Sequence, residues 1–101
     1  MKILTCNIRI SGAKDGRNGW RHRKGLCSEV IRAQEPDIIS FQEMWEEQFI
    51  DLSSSLPEYG TFGMTGEPLD RHRNNSMFYR RDSFVPISAS GYWLSKHPFV
   101  A

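Results

Sequence analysis

The apolar residues of this chain fall into short runs closed by polar residues or turns, with stretches of helical spacing between them. Ile3-Leu4-Thr5-Cys6 runs into Asn7, and Pro36-Asp37-Ile38-Ile39-Ser40-Phe41 stops abruptly at Gln42-Glu43. Runs of this length, bounded in this way, predict strands of an α/β sheet that are buried on both faces. Residues 20–34 carry Leu26, Cys27, Val30, Ile31 and Ala33 as an apolar stripe at helical spacing, and Pro36 stops that helix. A second helix is predicted over 45–56, with Phe49, Ile50, Leu52 and Leu56 on its apolar side and Pro57 at its end. Strands are predicted at 2–8, 37–42, 59–64 and 76–80, with the last strand or strands at 84–94, broken by Pro86 and Gly91.

The order is β-α-β-α-β-β-β. A right-handed crossover makes the first two strands parallel neighbours, and the later strands pair antiparallel through short turns. The fold class is therefore α/β, a mixed β-sheet with both helices on one face. Apolar strand positions on the other face are left without cover by these 101 residues. A missing layer is the simplest explanation, supplied by a C-terminal half, a symmetric partner or another chain.

Ligands of such sheets sit beyond the carboxyl ends of the strands. Asn7 and Glu43 both stand there, so two strands joined by one helix can bring two oxygen donors to one cation. Each has a second reading: Glu43 as a cap of the second helix or partner of a helix 1 arginine, Asn7 as a turn residue. Arg9 lies two positions beyond Asn7, on the same face of an extended strand. It can meet a phosphate or stand as a solvated charge. Asn75, just before a strand, can reach a substrate oxygen or be an exposed amide. His97 before Pro98 reads as a loop histidine, Trp20, Trp45 and Trp93 as packing aromatics, and Arg71-His72-Arg73 as a solvated loop. Gly12, Gly16 and Gly19 read as turn glycines, since their spacing fits neither nucleotide-binding fingerprint.

Charge narrows this little. Thirteen basic residues nearly cancel twelve acidic ones, for a net charge of +1, whereas chains that live on nucleic-acid phosphate carry a basic excess. Basic residues do crowd 17–24, at the wrong end of the first helix for its dipole, which points to a neighbouring anion or carboxylate. Cys6 and Cys27 predict two buried free thiols rather than a disulfide framework. With no apolar stretch long enough for a signal peptide or membrane span, a cytoplasmic protein is expected.

Five blocks, in order, carry a resemblance. They are Ile3-Leu4-Thr5-Cys6-Asn7-Ile8-Arg9, Trp20 with Arg23, Pro36 through Glu43, Asn75 through Asp82, and Gly91-Tyr92-Trp93-Leu94-Ser95. Together they resemble the N-terminal half of the endonuclease/exonuclease/phosphatase superfamily, the DNase I-like fold, which is a four-layer α/β sandwich. The resemblance implies a divalent cation, Mg²⁺ or Mn²⁺, with Glu43 as direct ligand and Asn7 assisting. It implies hydrolysis of a phosphodiester or phosphomonoester substrate. The family's C-terminal half contributes a Gly-Asp-Phe-Asn-type and a Ser-Asp-His-type motif, neither of which occurs in this sequence, so no general base is assigned. The alternative is a catalytically silent half-domain that binds or self-associates as a homo-oligomer through the uncovered sheet face.

Overall fold

The computed structural model describes residues 1–9, 11–14, 16–64 and 75–87. Four strands, β1 (Ile3–Asn7), β2 (Ile38–Gln42), β3 (Tyr59–Met64) and β4 (Asn75–Arg80), form one sheet in the order β1-β2-β4-β3. β1 and β2 are parallel; β4 runs antiparallel to β2 and to β3. Two helices, α1 (Trp20–Gln34) and α2 (Glu46–Ser55), connect the first three strands, with a short 3-10 turn at Gly16–Asn18. This is the expected mixed α/β sheet. Residues 84–87 form no strand, and the rest of the last predicted strand, with Trp93 and His97, lies outside the described residues.

The bounds of α1 follow from its flanks. Gly19 enters in an extended conformation, and Glu35 leaves in a left-handed one at φ 48, its N–H donating to Arg32 and Ile31 carbonyls. Pro36 disfavours helical geometry at the residue before it, so the chain must turn there. α2 begins with Glu46 and Glu47, where carboxylates complement the N-terminal end of the helix dipole.

Alternation along the strands divides the sheet into two faces. Leu4 and Cys6, Ile39 and Phe41, and Phe78 face the helices. With Ile8, Trp20, Ile31, Met44, Leu52, Leu56 and Tyr59 they form or border the core. Phe78 meets Phe41 edge-to-face at 4.9 Å between ring centroids and Phe49 at 5.8 Å. The opposite face has no layer over it among the described residues. Ile3, Phe62 and Met77 there are 59%, 36% and 44% exposed. β2 is therefore buried on one face only, with Ile38, Ser40 and Gln42 half-buried.

The core side of α1 differs from the predicted stripe. Trp20 and Ile31 are buried and Cys27 is half-buried, while Leu26 and Val30 are 65% and 51% exposed. The sheet-facing line runs Trp20, Arg23, Cys27, Ile31; Leu26 and Val30 lie about 100° around the helix from it. The line includes Arg23 because its guanidinium has buried work: it donates to the Ile8 carbonyl at 3.0 Å and stands over the Trp20 ring at 5.7 Å. Ile50 on α2 is likewise exposed, whereas Leu52 and Leu56 are fully buried. Cys6 and Cys27 are free but only half-buried. Burial pushes the Cys27 thiol up to about 11, with the neighbouring Cys6 adding to the shift. No helix among the described residues is long and apolar enough to cross a membrane.

Candidate functional site

The register across the sheet sets the site. Asn7 pairs with Gln42 in the parallel β1–β2 ladder. In the antiparallel β2–β4 ladder Phe41 pairs with Ser76, so one step further the same register sets Gln42 against Asn75. Asn7, Gln42 and Asn75 thus form a row of carboxamide residues across three strands, on the open face and at the carboxyl ends of β1 and β2. The next row inward is Thr5, Ser40, Met77 and Phe62. A shallow depression of about 190 Å³ lies against it, lined in part by Ser40, Phe62, Asn75 and Met77.

Glu43 follows β2 directly, exposed, with its backbone left-handed at φ 56. That turn takes its side chain out of the strand's alternation and toward β1. The Asn7 amide Nδ2 donates to Glu43 Oε2. Asn7 Oδ1 in turn accepts the Arg9 N–H at 3.1 Å, which fixes which end of the amide faces the carboxylate. Glu43 therefore neither caps α2 nor pairs with an α1 arginine; its partner is the other strand-end residue singled out in the sequence. Glu43 Oε1 has no protein partner among the described residues.

Arg9 is placed differently from expectation. β1 ends at Asn7, and Arg9 has φ 60, so the alternate-residue rule no longer links the two side chains. The connection is through the Arg9 backbone. Its carbonyl accepts Gln48 Nε2 at 2.7 Å and faces Arg23 Nη2 at 3.5 Å. Asn75 stands at the start of β4, exposed. The basic cluster at the start of α1 is partly accounted for: Arg23 holds loop carbonyls, and Lys24 lies 4.0 Å from Asp51. Beside the β1–α1 loop, Lys14, Arg21 and His22 line a depression of about 220 Å³ together with Glu47. A larger cleft of about 390 Å³ lies between α1 and α2, but its polar groups pair with one another, Lys24 near Asp51 and Ser28 with Ser55 at 2.9 Å.

Two residues were missed in the sequence. By sequence Gln42 reads only as the end of a strand. Gln48 looks like an ordinary surface residue of an amphipathic helix. The signal was available: it shares the i, i+4, i+8 line of Leu52 and Leu56, so a polar residue sits on the core stripe.

The donor set can be tested against a divalent cation. Asn7 does not offer the second oxygen expected of it, since its Nδ2 faces Glu43 and its Oδ1 accepts the Arg9 N–H, which leaves the exposed Glu43 carboxylate as the oxygen donor, a share that Mg²⁺ accepts while keeping several waters. No cluster of three or more His, Cys, Asp or Glu able to hold a metal occurs among the described residues. The residues fit a cation bound through a single carboxylate, completed by water and ligand oxygens.

No family model matches the chain, and no curated protein matches it in sequence. Among solved structures, an endonuclease/exonuclease/phosphatase from Bacteroides vulgatus is 32% identical, over 97% of this chain and 38% of its own, with a TM-score of 0.84. A family protein of the same description from Bacteroides thetaiotaomicron is 26% identical over 97% of this chain and 36% of its own, with a TM-score of 0.86. A mannosyl-6-phosphatase from Bacteroides thetaiotaomicron is 25% identical over 95% and 37%, with a TM-score of 0.85. The fold is that of part of a DNase I-like α/β protein. Along nearly its whole length the chain is similar to proteins of the endonuclease/exonuclease/phosphatase family, and it spans a little over a third of the length of the solved proteins it matches.

Proposed function

We propose that this chain is the N-terminal portion of a metal-dependent phosphoesterase domain, and that Glu43 and Asn7 contribute its cation site. The observation that carries the reading is the Asn7–Glu43 contact, which joins the ends of two parallel strands at the edge where α/β sheets bind ligands. In this reading Glu43 Oε1 holds Mg²⁺ or Mn²⁺, and Asn7 fixes the carboxylate by occupying Oε2. When bound, such a cation polarises a phosphoryl oxygen and offsets charge that develops in the transition state. Arg9, two residues after Asn7, and Asn75, in the same strand-end row, are assigned to the phosphate ester, Arg9 by charge and Asn75 through its amide. Lys14 and Arg21 add positive charge beside the loop. No group of this chain is assigned to the activation of water.

The mannosyl-6-phosphatase among the relatives supports a phosphomonoester, such as a sugar phosphate, as the first substrate to try. The free thiols of Cys6 and Cys27 suit a cytoplasmic setting. Apolar Ile3, Phe62 and Met77 on the open face support association there, either with the remainder of such a domain or with a second copy.

The test is hydrolysis of a generic monoester and diester by this chain, with and without Mg²⁺ or Mn²⁺. Mn²⁺ affinity is measured alongside, with Glu43→Gln as the control. The expected result is Mn²⁺ binding that Glu43→Gln abolishes, with little or no turnover from the chain alone. Equal Mn²⁺ binding by Glu43→Gln would sink the metal assignment.

A further inference from the structure

Gln48 is fully buried, at 0% exposure, in a position where leucine would pack without polar demands. A buried amide is costly unless its groups are hydrogen-bonded. Those of Gln48 are: Nε2 donates to the Arg9 carbonyl at 2.7 Å, and Oε1 accepts the N–H groups of Trp45 at 2.8 Å and Ser11 at 3.1 Å. These partners belong to two different loops. Arg9 and Ser11 follow β1, which ends on Asn7. Trp45 lies two residues after Glu43. One side chain therefore ties together the loop behind Asn7 and the loop behind Glu43.

The connection reaches the pair through a single residue. Gln48 holds the Arg9 carbonyl, and the Arg9 N–H holds Asn7 Oδ1, which turns Asn7 Nδ2 toward Glu43. Arg9 and Glu43 both have left-handed backbones without being glycine, a conformation that persists only where surroundings enforce it. Arg23, donating to the Ile8 carbonyl, supports the same loop from α1.

We infer that Gln48 is the positioning residue of the Asn7–Glu43 pair, acting through the Arg9 peptide and the Trp45 N–H. It touches neither cation nor substrate. Its effect on metal affinity rests on the cation reading above; its effect on Asn7 does not.

The experiment uses amide spectra of the 101-residue protein together with Mn²⁺ titration, comparing wild type, Gln48→Met and, as a packing control, Ile31→Val. In Gln48→Met the Asn7 side-chain amide resonances shift toward those of a free amide, and Mn²⁺ binds about ten- to a hundred-fold more weakly, as when a support of a metal ligand is removed. Ile31→Val leaves both unchanged. A folded Gln48→Met with wild-type Asn7 resonances overturns the inference. If Gln48→Met does not fold, Gln48→Glu gives the readout, since it keeps the two accepting contacts and sets an oxygen against the Arg9 carbonyl where the donated bond stood. If neither folds, the wild-type spectrum decides: Gln48 side-chain amide protons that exchange at solvent rates overturn the inference, and protected ones uphold it. Glu43→Gln separates the two readings. Unchanged Mn²⁺ affinity in that variant removes the cation reading, while the Asn7 resonances still judge Gln48.

Discussion

The two faces of the sheet are built from alternate residues of the same strands, yet they do different work. On the helix side Ile39, Phe41 and Phe78 are sealed under α1 and α2, with rings in edge-to-face contact. On the other side Ile3, Phe62 and Met77 stay in solvent, and the row nearest the strand ends is Asn7, Gln42 and Asn75. The closed face supplies most of the stability. On the function proposed above, the open face carries the groups that would meet ligands, at the rim where the helices do not reach. The amide row and the core are therefore separable by single-residue parity along a strand.

That separation is tested most severely at neighbouring residues of β4. Phe78→Ala is expected to cost about 3–5 kcal/mol of unfolding free energy, as for a fully buried ring, while Met77→Ala costs less than about 1 kcal/mol. Chemical denaturation of the two variants measures this, and equal losses would break the distinction between the faces. Next is Gly60, where an added Cβ would stand 2.2 Å from the Tyr79 ring that lies across it on the open face. Gly60→Ala is expected to cost about 1–3 kcal/mol by overpacking, which would show that Tyr79 makes part of this face self-covered. A smaller effect is expected at Trp20, whose indole N–H donates to Asp51 at 2.9 Å and so ties α1 to α2. Trp20→Phe keeps a ring in the core and loses about 1 kcal/mol, and Asp51→Ala should then add, in the double variant, only what its 4.0 Å pairing with Lys24 contributes.

The smallest effect is a pH dependence from the covered side. The Cys27 thiol ordinarily titrates at 9.0 and is pushed up to about 11 by burial. Between those values the unfolded chain holds fewer protons than the folded one, so stability falls as pH rises through that window. Denaturation midpoints at about pH 8 and pH 10 should differ in that direction, and the part due to this thiol should vanish in Cys27→Ser. At neutral pH the same shift makes Cys27 slow to alkylate.

Much of this architecture was legible from residue order. Pro36 fixed the end of α1, the apolar runs fixed β1 and β2, and polar strand ends marked Asn7 and Glu43. Hydropathy failed where a polar side chain had inward work. Arg23 and Gln48 both face inward to bind loop carbonyls or N–H groups, so the stripe drawn through Leu26 and Val30 was rotated away from the sheet. The backbone turns at Arg9 and Glu43 were also invisible, because left-handed geometry at arginine or glutamate is imposed by tertiary contacts and not by the residues themselves. The Asn7–Glu43 contact depends on those turns, so the sequence could nominate the pair without giving its geometry.

The strand order has a consequence for how the molecule comes together. Residues 3–42 can organise as a β-α-β unit, and β3 with β4 as an antiparallel pair, but the sheet closes only when β2 finds β4. That step spans 35–41 residues, against 35 for β1 with β2, so by loop length alone the two closures cost nearly the same. Asn7 and Gln42 belong to the first unit, and Asn75 to the second. On this topology the amide row is complete only once the two units dock, so any geometry that needs all three amides should be lost whenever β2 and β4 part.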